Sequence, residues 1–182
     1  MIKIGNHKSL NKNFFISVII IFTLGSVSHF LYDLTNNSII IGSIFPVNES
    51  IWEHLKLLLL PVILWWIMFY LINKNKYNLN KNRWFISSII SLFVSMIFQN
   101  SMYYLYTCGF GIKSIIFDIL LFLLSIIIGQ CIGLHYYRHG KEVNYKISLL
   151  ILFFIVLFFI FLTFNTPNLP IFKDSITGTY GV

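Results

Sequence analysis

Acidic side chains are scarce in this chain: six Asp and Glu stand against thirteen Lys and Arg in 182 residues, and all charged residues together make up only 10%. A soluble globular domain carries about 25% charged residues, so an ordinary water-facing surface is excluded. Cysteine is almost missing. Cys108 and Cys131 are singles with no CxxC spacing, which removes the motifs for thiolate zinc and dithiol redox chemistry. No internal repeat is visible, so solenoids are excluded, and no polar stretch is long enough to fold as a separate soluble domain.

What the chain has in abundance is apolar surface, with 57% hydrophobic residues and a mean hydropathy of +0.80. Hydrocarbon about 30 Å thick needs about 20 consecutive apolar residues in a helix. Five stretches meet that length: residues 14–34, 51–72, 84–106, 114–134 and 146–164. The expected fold is therefore all-α, a polytopic transmembrane bundle of five spans forming a single integral membrane domain over residues 1–182. Pro61 lies inside the second stretch, and its missing N–H predicts a kink one turn earlier, near Leu57.

The formal net charge of +7 would suggest nucleic acid in a soluble protein. Here the basic residues fall in short blocks between apolar runs, so a lipid bilayer is the expected partner and nucleic acid is not. Lys3, Lys8 and Lys12, then Lys74, Lys76, Lys81 and Arg83, then Arg138, Lys141 and Lys146 alternate with connections that hold only Lys113 and Lys173. The positive-inside rule then places the amino terminus in the cytoplasm and the carboxyl terminus outside, in a cell membrane. A rival reading takes Lys3, Lys8, Lys12, the run FFISVIIIFTL and Ser26-Val27-Ser28 as a secretory signal. Cleavage there would leave four spans with His29 at the new amino terminus. Because apolar sequence continues through Phe30-Leu31-Tyr32, an uncleaved first helix is preferred. Residues 73–83 read as a solvated, low-complexity loop. His135 and His139 beside Arg138 read as a solvated basic face. Trp52, Trp84, Tyr103, Tyr104, Tyr106, Tyr136 and Tyr137 sit where aromatic belts fall, while Trp65 and Trp66 read as packing.

With this orientation the few acids sort themselves. Asp33, Glu49, Glu53, Asp118 and Asp174 share the outer level with His29, His54, Gln99 and Asn100, and only Glu142 is cytoplasmic. The spacing His29/Asp33 and Glu49/Glu53 is i, i+4, which puts each pair on one helix face. These residues suggest one polar cavity opening outward. Imidazole and carboxylate suit zinc or a similar divalent ion. The candidate metal ligands are His29, Asp33, His54 and Asp118, with Glu53 and Glu49 as candidate catalytic carboxylates, Glu53 serving as base.

Bland readings compete at several positions. Ser50-x-x-Glu53 fits a capping box, preceded by a turn at Pro46 and Asn48. Lys56 is expected to snorkel to the headgroups, with a pair to Glu53 or Asp118 as the alternative. Asp118, inside the apolar limit, needs compensation, and Gln99 and Asn100 read as interhelical hydrogen-bond partners. The tail PNLPIFKDSITGTYGV either frays or folds Phe172 and Asp174 back over the cavity.

The segment SHFLYDLTNNSIIIGSIFPVNESIWEHLKLLLLP, residues 28–61, together with the ending PNLPIFKDSITGTYG, resembles an uncharacterised family of small bacterial multi-pass membrane proteins, a domain of unknown function. The resemblance covers the whole chain and supports keeping the first helix, but supplies no activity. Two functions are therefore expected from the residues themselves. One is a metal-dependent membrane hydrolase acting on a lipid or envelope substrate. The other is non-enzymatic: a small transporter subunit, an ion or lipid binder, or a membrane partner protein. Transport would call for a homo-oligomer or a partner chain, because five helices leave little room for inverted repeats.

Overall fold

A computed structural model describes the backbone of residues 5–181 and the side chains of residues 13–181. Of the amino-terminal basic block, Lys3 and the side chains of Lys8 and Lys12 lie outside the described residues. The described residues are helical apart from turns and one isolated bridge. In chain order the helices are α1 (Gly5–Ser28), α2 (Leu31–Leu34), α3 (Ile39–Gly42), α4 (Ile51–His54), α5 (Lys56–Tyr77), α6 (Lys81–Tyr104), α7 (Ile115–His139) and α8 (Tyr145–Phe164). A π turn, Leu105–Gly109, extends α6, and a 3₁₀ turn, Pro170–Phe172, opens the tail.

Four stretches are long and apolar enough to cross a membrane: Ile51–Tyr77, Lys81–Gly109, Ile115–His139 and Tyr145–Phe164. The apolar part of α1, Asn13–Ser28, is shorter. The expected first stretch, 14–34, is thus divided. After Gly25 the Ser28 hydroxyl donates to Gly25 O at 2.7 Å, and the ladder tightens as Phe30 N–H turns to Val27 O. The chain leaves the helix at His29 and turns again at Asn36 and Asn37, both left-handed at φ 53° and 57°, a conformation that Asn tolerates better than most residues. The second stretch breaks at Leu55, between α4 and α5, two residues before the position expected from Pro61. Pro61 has no N–H to offer Leu57 O, and that carbonyl lies where a Cβ on Gly25 would be only 2.7 Å away. The glycine lets α1 and α5 meet at the carbonyl that proline leaves free.

The tightest helix pair is α6 with α7. Ser87, Ser91 and Ser95 on one helix and Gly129 and Gly133 on the other recur every four residues, so each set forms one stripe. A Cβ on Gly129 would sit 2.6 Å from Ser91 O, and one on Gly133 would sit 2.7 Å from Ser91 Cβ. Small residues allow this approach, and polar groups lock it. Gln130 Nε2 donates to Ser91 Oγ at 2.9 Å, and Ser125 Oγ donates to Gln99 Oε1 at 3.3 Å, so Gln99 is the interhelical partner expected. At the opposite end of the bundle, Arg83 pairs with Glu142 at 3.1 Å. Trp84, expected in an aromatic belt, is instead core: its ring stacks on Phe69 and its Nε1 donates to Trp66 O at 2.8 Å.

Candidate metal centre at the end of α1 and the start of α4

The local sequence 42–56 builds a small polar knot. Ser50 caps α4, its Oγ accepting from Glu53 N–H at 3.2 Å, and Asn48 Oδ1 accepts from Ser50 N–H at 2.9 Å. Only half of a capping box is formed, because the Glu53 carboxylate has a stronger partner. Glu53 Oε2 lies 2.7 Å from Lys56 Nζ, and both residues are buried, at 3% and 1% exposure. Glu53 also accepts from Val47 N–H at 3.0 Å and Thr163 Oγ1 at 3.4 Å. Lys56 donates in turn to Gly42 O at 2.9 Å and Phe45 O at 3.3 Å. Snorkelling is therefore overturned. A buried carboxylate at i−3 and two loop carbonyls give the ammonium more than the headgroup layer offers, and its expected alternative partner, Glu53, is the one found.

This knot holds the chain before α4 so that Glu49 meets two histidines. His29 Nε2 and His54 Nε2 are 3.3 Å apart. Glu49 Oε2 is 3.3 Å from His54 Nε2, and Glu49 Oε1 is 3.7 Å from His29 Nε2. The side chains are 29% to 36% exposed, so the cluster opens at the surface. His54 Nδ1 lies 2.9 Å from Ser50 O. A carbonyl only accepts, so Nδ1 carries a proton, and Nε2 donates to the Glu49 carboxylate when the ring is charged and presents its lone pair to the cluster when the ring is neutral. Such an outer hydrogen bond is what fixes the tautomer of a ligating histidine. Among the described residues these three are the group of His, Cys, Asp and Glu side chains close enough to hold one ion.

The distances can be compared with a tetrahedral centre. Two ligand atoms each about 2.0 to 2.1 Å from zinc stand roughly 3.3 to 3.4 Å apart. The two imidazole nitrogens, 3.3 Å apart, and the pair His54 Nε2 and Glu49 Oε2, also 3.3 Å apart, match that spacing, whereas His29 meets the other carboxylate oxygen, Oε1, at 3.7 Å; with one atom from each residue the three lie within 4.8 Å of one another. Three ligands leave a fourth position for water or a substrate atom, the pattern of catalytic zinc sites.

The remaining sequence candidates are placed apart from this triad. Asp33 is exposed on α2; the break after Ser28 destroys the i, i+4 relation that would have set it beside His29. Glu53 is engaged by Lys56, Val47 and Thr163. Asp118 is exposed on α7 and accepts a hydrogen bond from Tyr106 OH. Phe22 packs against Phe122 at 5.5 Å, and a Cβ on Gly25 would touch the Phe122 ring. These helices run antiparallel, so one turn beyond Gly25 is His29 and one turn beyond Phe122 is Asp118. Glu49, expected as a catalytic carboxylate beside Glu53, precedes the helix cap and shares no face with Glu53; it is the carboxylate that meets the two histidines.

The tail folds back. Phe172 is buried against Trp52, ring centroids 4.8 Å apart, and Asn48 Nδ2 donates to Gly181 O at 2.9 Å. Ser175 N–H approaches Glu49 O at 3.5 Å. Burial pushes the Asp174 carboxyl up, but the N–H groups of Ile176 and Thr177 and the Thr177 hydroxyl donate to it and hold it below the usual range. Glu49 is also held below its ordinary value, chiefly by the hydrogen bond from the His54 side chain.

Fold and site together define an all-helical protein whose long apolar helices suit a lipid bilayer and which gathers two imidazoles and a carboxylate at one end. The chain belongs to the family of unknown function DUF6512, whose model matches residues 2–182. No curated protein and no solved structure matches it.

Proposed function

We propose that this chain is a five-span protein of the cell membrane, a single integral domain with its amino terminus in the cytoplasm, that holds a divalent ion such as zinc at its outer level on His29, His54 and Glu49. In this reading it is a hydrolase of a lipid or envelope ester. The observation that carries the reading is that one ligand atom each from His29, Glu49 and His54 lies within 4.8 Å of the others, around a His54 whose outer nitrogen is already bound to Ser50 O.

The chemistry follows from the charge. A divalent ion with one carboxylate and two neutral imidazoles keeps a net positive charge, which acidifies a bound water. Were an ion held there, it would supply an acidified water as nucleophile; Asp118, which accepts from Tyr106 OH, would receive the water's proton as its oxygen bonds to the ester phosphorus or carbon, and would return that proton to the alcohol oxygen as the ester bond breaks. Asp118→Asn is expected to keep the metal and lose about 10²-fold or more in turnover of a lipid ester, whereas His54→Ala is expected to lose both. Asp118→Asn with unchanged turnover would overturn the role of base.

The engagement of Glu53 by Lys56 favours a second reading, in which the ion clips the end of α1 to the start of α4 without turnover. Zinc retained and protective, with no hydrolysis of phosphate or acyl esters by the wild-type protein, would select it. Orientation has its own check. Cys108 is expected to react with a membrane-impermeant thiol reagent in cells whose outer barrier is opened, and Cys131 is not; the reverse labelling would invert the topology.

A further inference from the structure

Of the three triad residues, Glu49 is the one that no helix carries. His54 belongs to α4, and His29 stays on the ladder of α1 through its N–H to Gly25 O at 3.2 Å. Glu49 stands in a bend ahead of α4. What meets its backbone is the far end of the chain. We infer that the carboxyl-terminal tail is a positioning strap for the triad: Asn48, bound to Gly181, and Ser175, against Glu49 O, fix the Glu49 backbone where its carboxylate meets His29 and His54. The inference rests on the metal-centre reading above and adds the groups that set one of its ligands.

Each tie is a direct contact. Asn48 Nδ2 donates to Gly181 O at 2.9 Å, across 133 positions of sequence, while Asn48 Oδ1 accepts from Ser50 N–H at 2.9 Å. One amide side chain thus spans Glu49 and fastens its bend to the tail. Ser175 N–H approaches Glu49 O at 3.5 Å, and Glu49 N–H is among the donors that act on the Asp174 carboxylate. The tail therefore engages both backbone groups of Glu49.

A strap can position a ligand only if it is itself fixed. Asp174 N–H donates to Thr179 O at 2.9 Å, Gly178 N–H to Asp174 O at 3.1 Å and Ile176 N–H to Asp174 Oδ1 at 2.7 Å. With the bridge between Lys173 and Tyr180, these bonds close residues 173–180 into one turn. Ahead of the turn, Phe172 is buried on Trp52, which also stacks on Phe159 of α8 at 4.3 Å. After it, Gly181 is left-handed at φ 78°, and a Cβ there would stand 2.9 Å from Thr166 Oγ1. Glycine lets the carbonyl reach Asn48 at that point. Groups that orient a metal ligand from outside are typically worth about 10- to 100-fold in affinity, which makes the strap measurable.

The test measures zinc affinity, and the visible spectrum of the Co²⁺-loaded protein, on the full-length chain in detergent. Asn48→Asp keeps an oxygen for Ser50 N–H and loses the donor to Gly181 O. Its added negative charge by itself favours a cation, so weaker binding reports the lost tie. Gly181→Val breaks the same contact from the tail. Each is expected to weaken zinc binding about tenfold and to alter the Co²⁺ spectrum. The double variant should bind no more weakly than the single ones, because one contact is lost only once. Gly129→Ala, which loosens the α6–α7 crossing instead, controls for lowered stability and should bind as the wild type does. Wild-type affinity in either tail variant, effects that multiply in the double variant, or an equal loss in Gly129→Ala overturns the strap while the metal centre stands. A wild-type protein that takes up neither ion is the separate failure of the metal reading, and the inference falls with it.

Discussion

Replacing Lys56 by Met removes the cation of a buried ion pair while keeping a side chain of similar length. Its Nζ lies 2.7 Å from Glu53 Oε2, with Gly42 O at 2.9 Å and Phe45 O at 3.3 Å. Met fills much of the same volume, so packing changes little, but Glu53 is left as an uncompensated carboxylate in apolar surroundings. Breaking a buried pair from one side costs about 3 to 5 kcal/mol. The two orphaned carbonyls belong to the same site and overlap with that figure rather than adding to it. Removing both charges in Glu53→Gln, Lys56→Met spares the lone carboxylate, so the double variant is expected to lose only about 1 to 3 kcal/mol. Equilibrium unfolding in mild detergent, read by circular dichroism across the four variants of a double-mutant cycle, measures this. The coupling is expected to be at least about 2 kcal/mol, within the range for residues in one hydrogen-bonded network. A Lys56→Met loss under about 1 kcal/mol, or strictly additive effects, would refute the claim that this pair fastens the 42–47 loop to the bundle.

Three further outcomes are expected. Gly129→Ala drives a methyl to within 2.6 Å of Ser91 O, so α6 and α7 must separate, at about 1 to 3 kcal/mol in the same unfolding assay; an unchanged midpoint would contradict the close crossing. Phe172→Ala, which empties the slot against Trp52, should cost up to about 3 to 5 kcal/mol if the tail folds with the bundle, and should expose the tail to limited proteolysis; a tail cleaved no faster than in the wild type would refute its docking. Glu49 has a folded value below its ordinary 4.5, held there chiefly by His54. Its contribution is therefore present above about pH 4.5 and lost as pH falls through the lower folded value. The metal-free wild type should lose stability over that window, and Glu49→Gln should remove that part of the pH dependence.

Much of this is legible in the sequence. Charge sorting put five acids, two histidines and two amides at one end, and the structure gathers three of these residues, His29, Glu49 and His54, around a common point. Helical periodicity failed where the helix itself failed. His29 and Asp33 share a face only if α1 runs on, and the Ser28 hydroxyl, bonding back to Gly25 O, helps to end it. Lys56 was illegible for a different reason: a lysine one turn inside an apolar run satisfies itself equally by snorkelling or by a partner at i−3, and only the position of the 42–45 carbonyls decides between them. Glu53 lies inward with Lys56, its carboxylate engaged by the ammonium, Val47 N–H and Thr163 Oγ1. The stripe Ser87, Ser91, Ser95 and its counterpart Gly129, Gly133 carried a plain small-residue signal at four-residue spacing, and its meaning emerges once the two helices are seen to cross there.

The most direct measurement is zinc binding by the purified, metal-stripped protein, followed by calorimetric titration and elemental analysis, in the wild type and in His29→Ala, Glu49→Gln and His54→Ala. One ion per chain is expected, with affinity lowered at least tenfold by each substitution and falling with acidity as protons compete for the imidazoles. Asp33→Ala, outside the triad, should bind as the wild type does. A wild-type protein that takes up no ion, or one whose binding survives loss of His29 and His54 together, would mean that the three side chains meet only to share a proton.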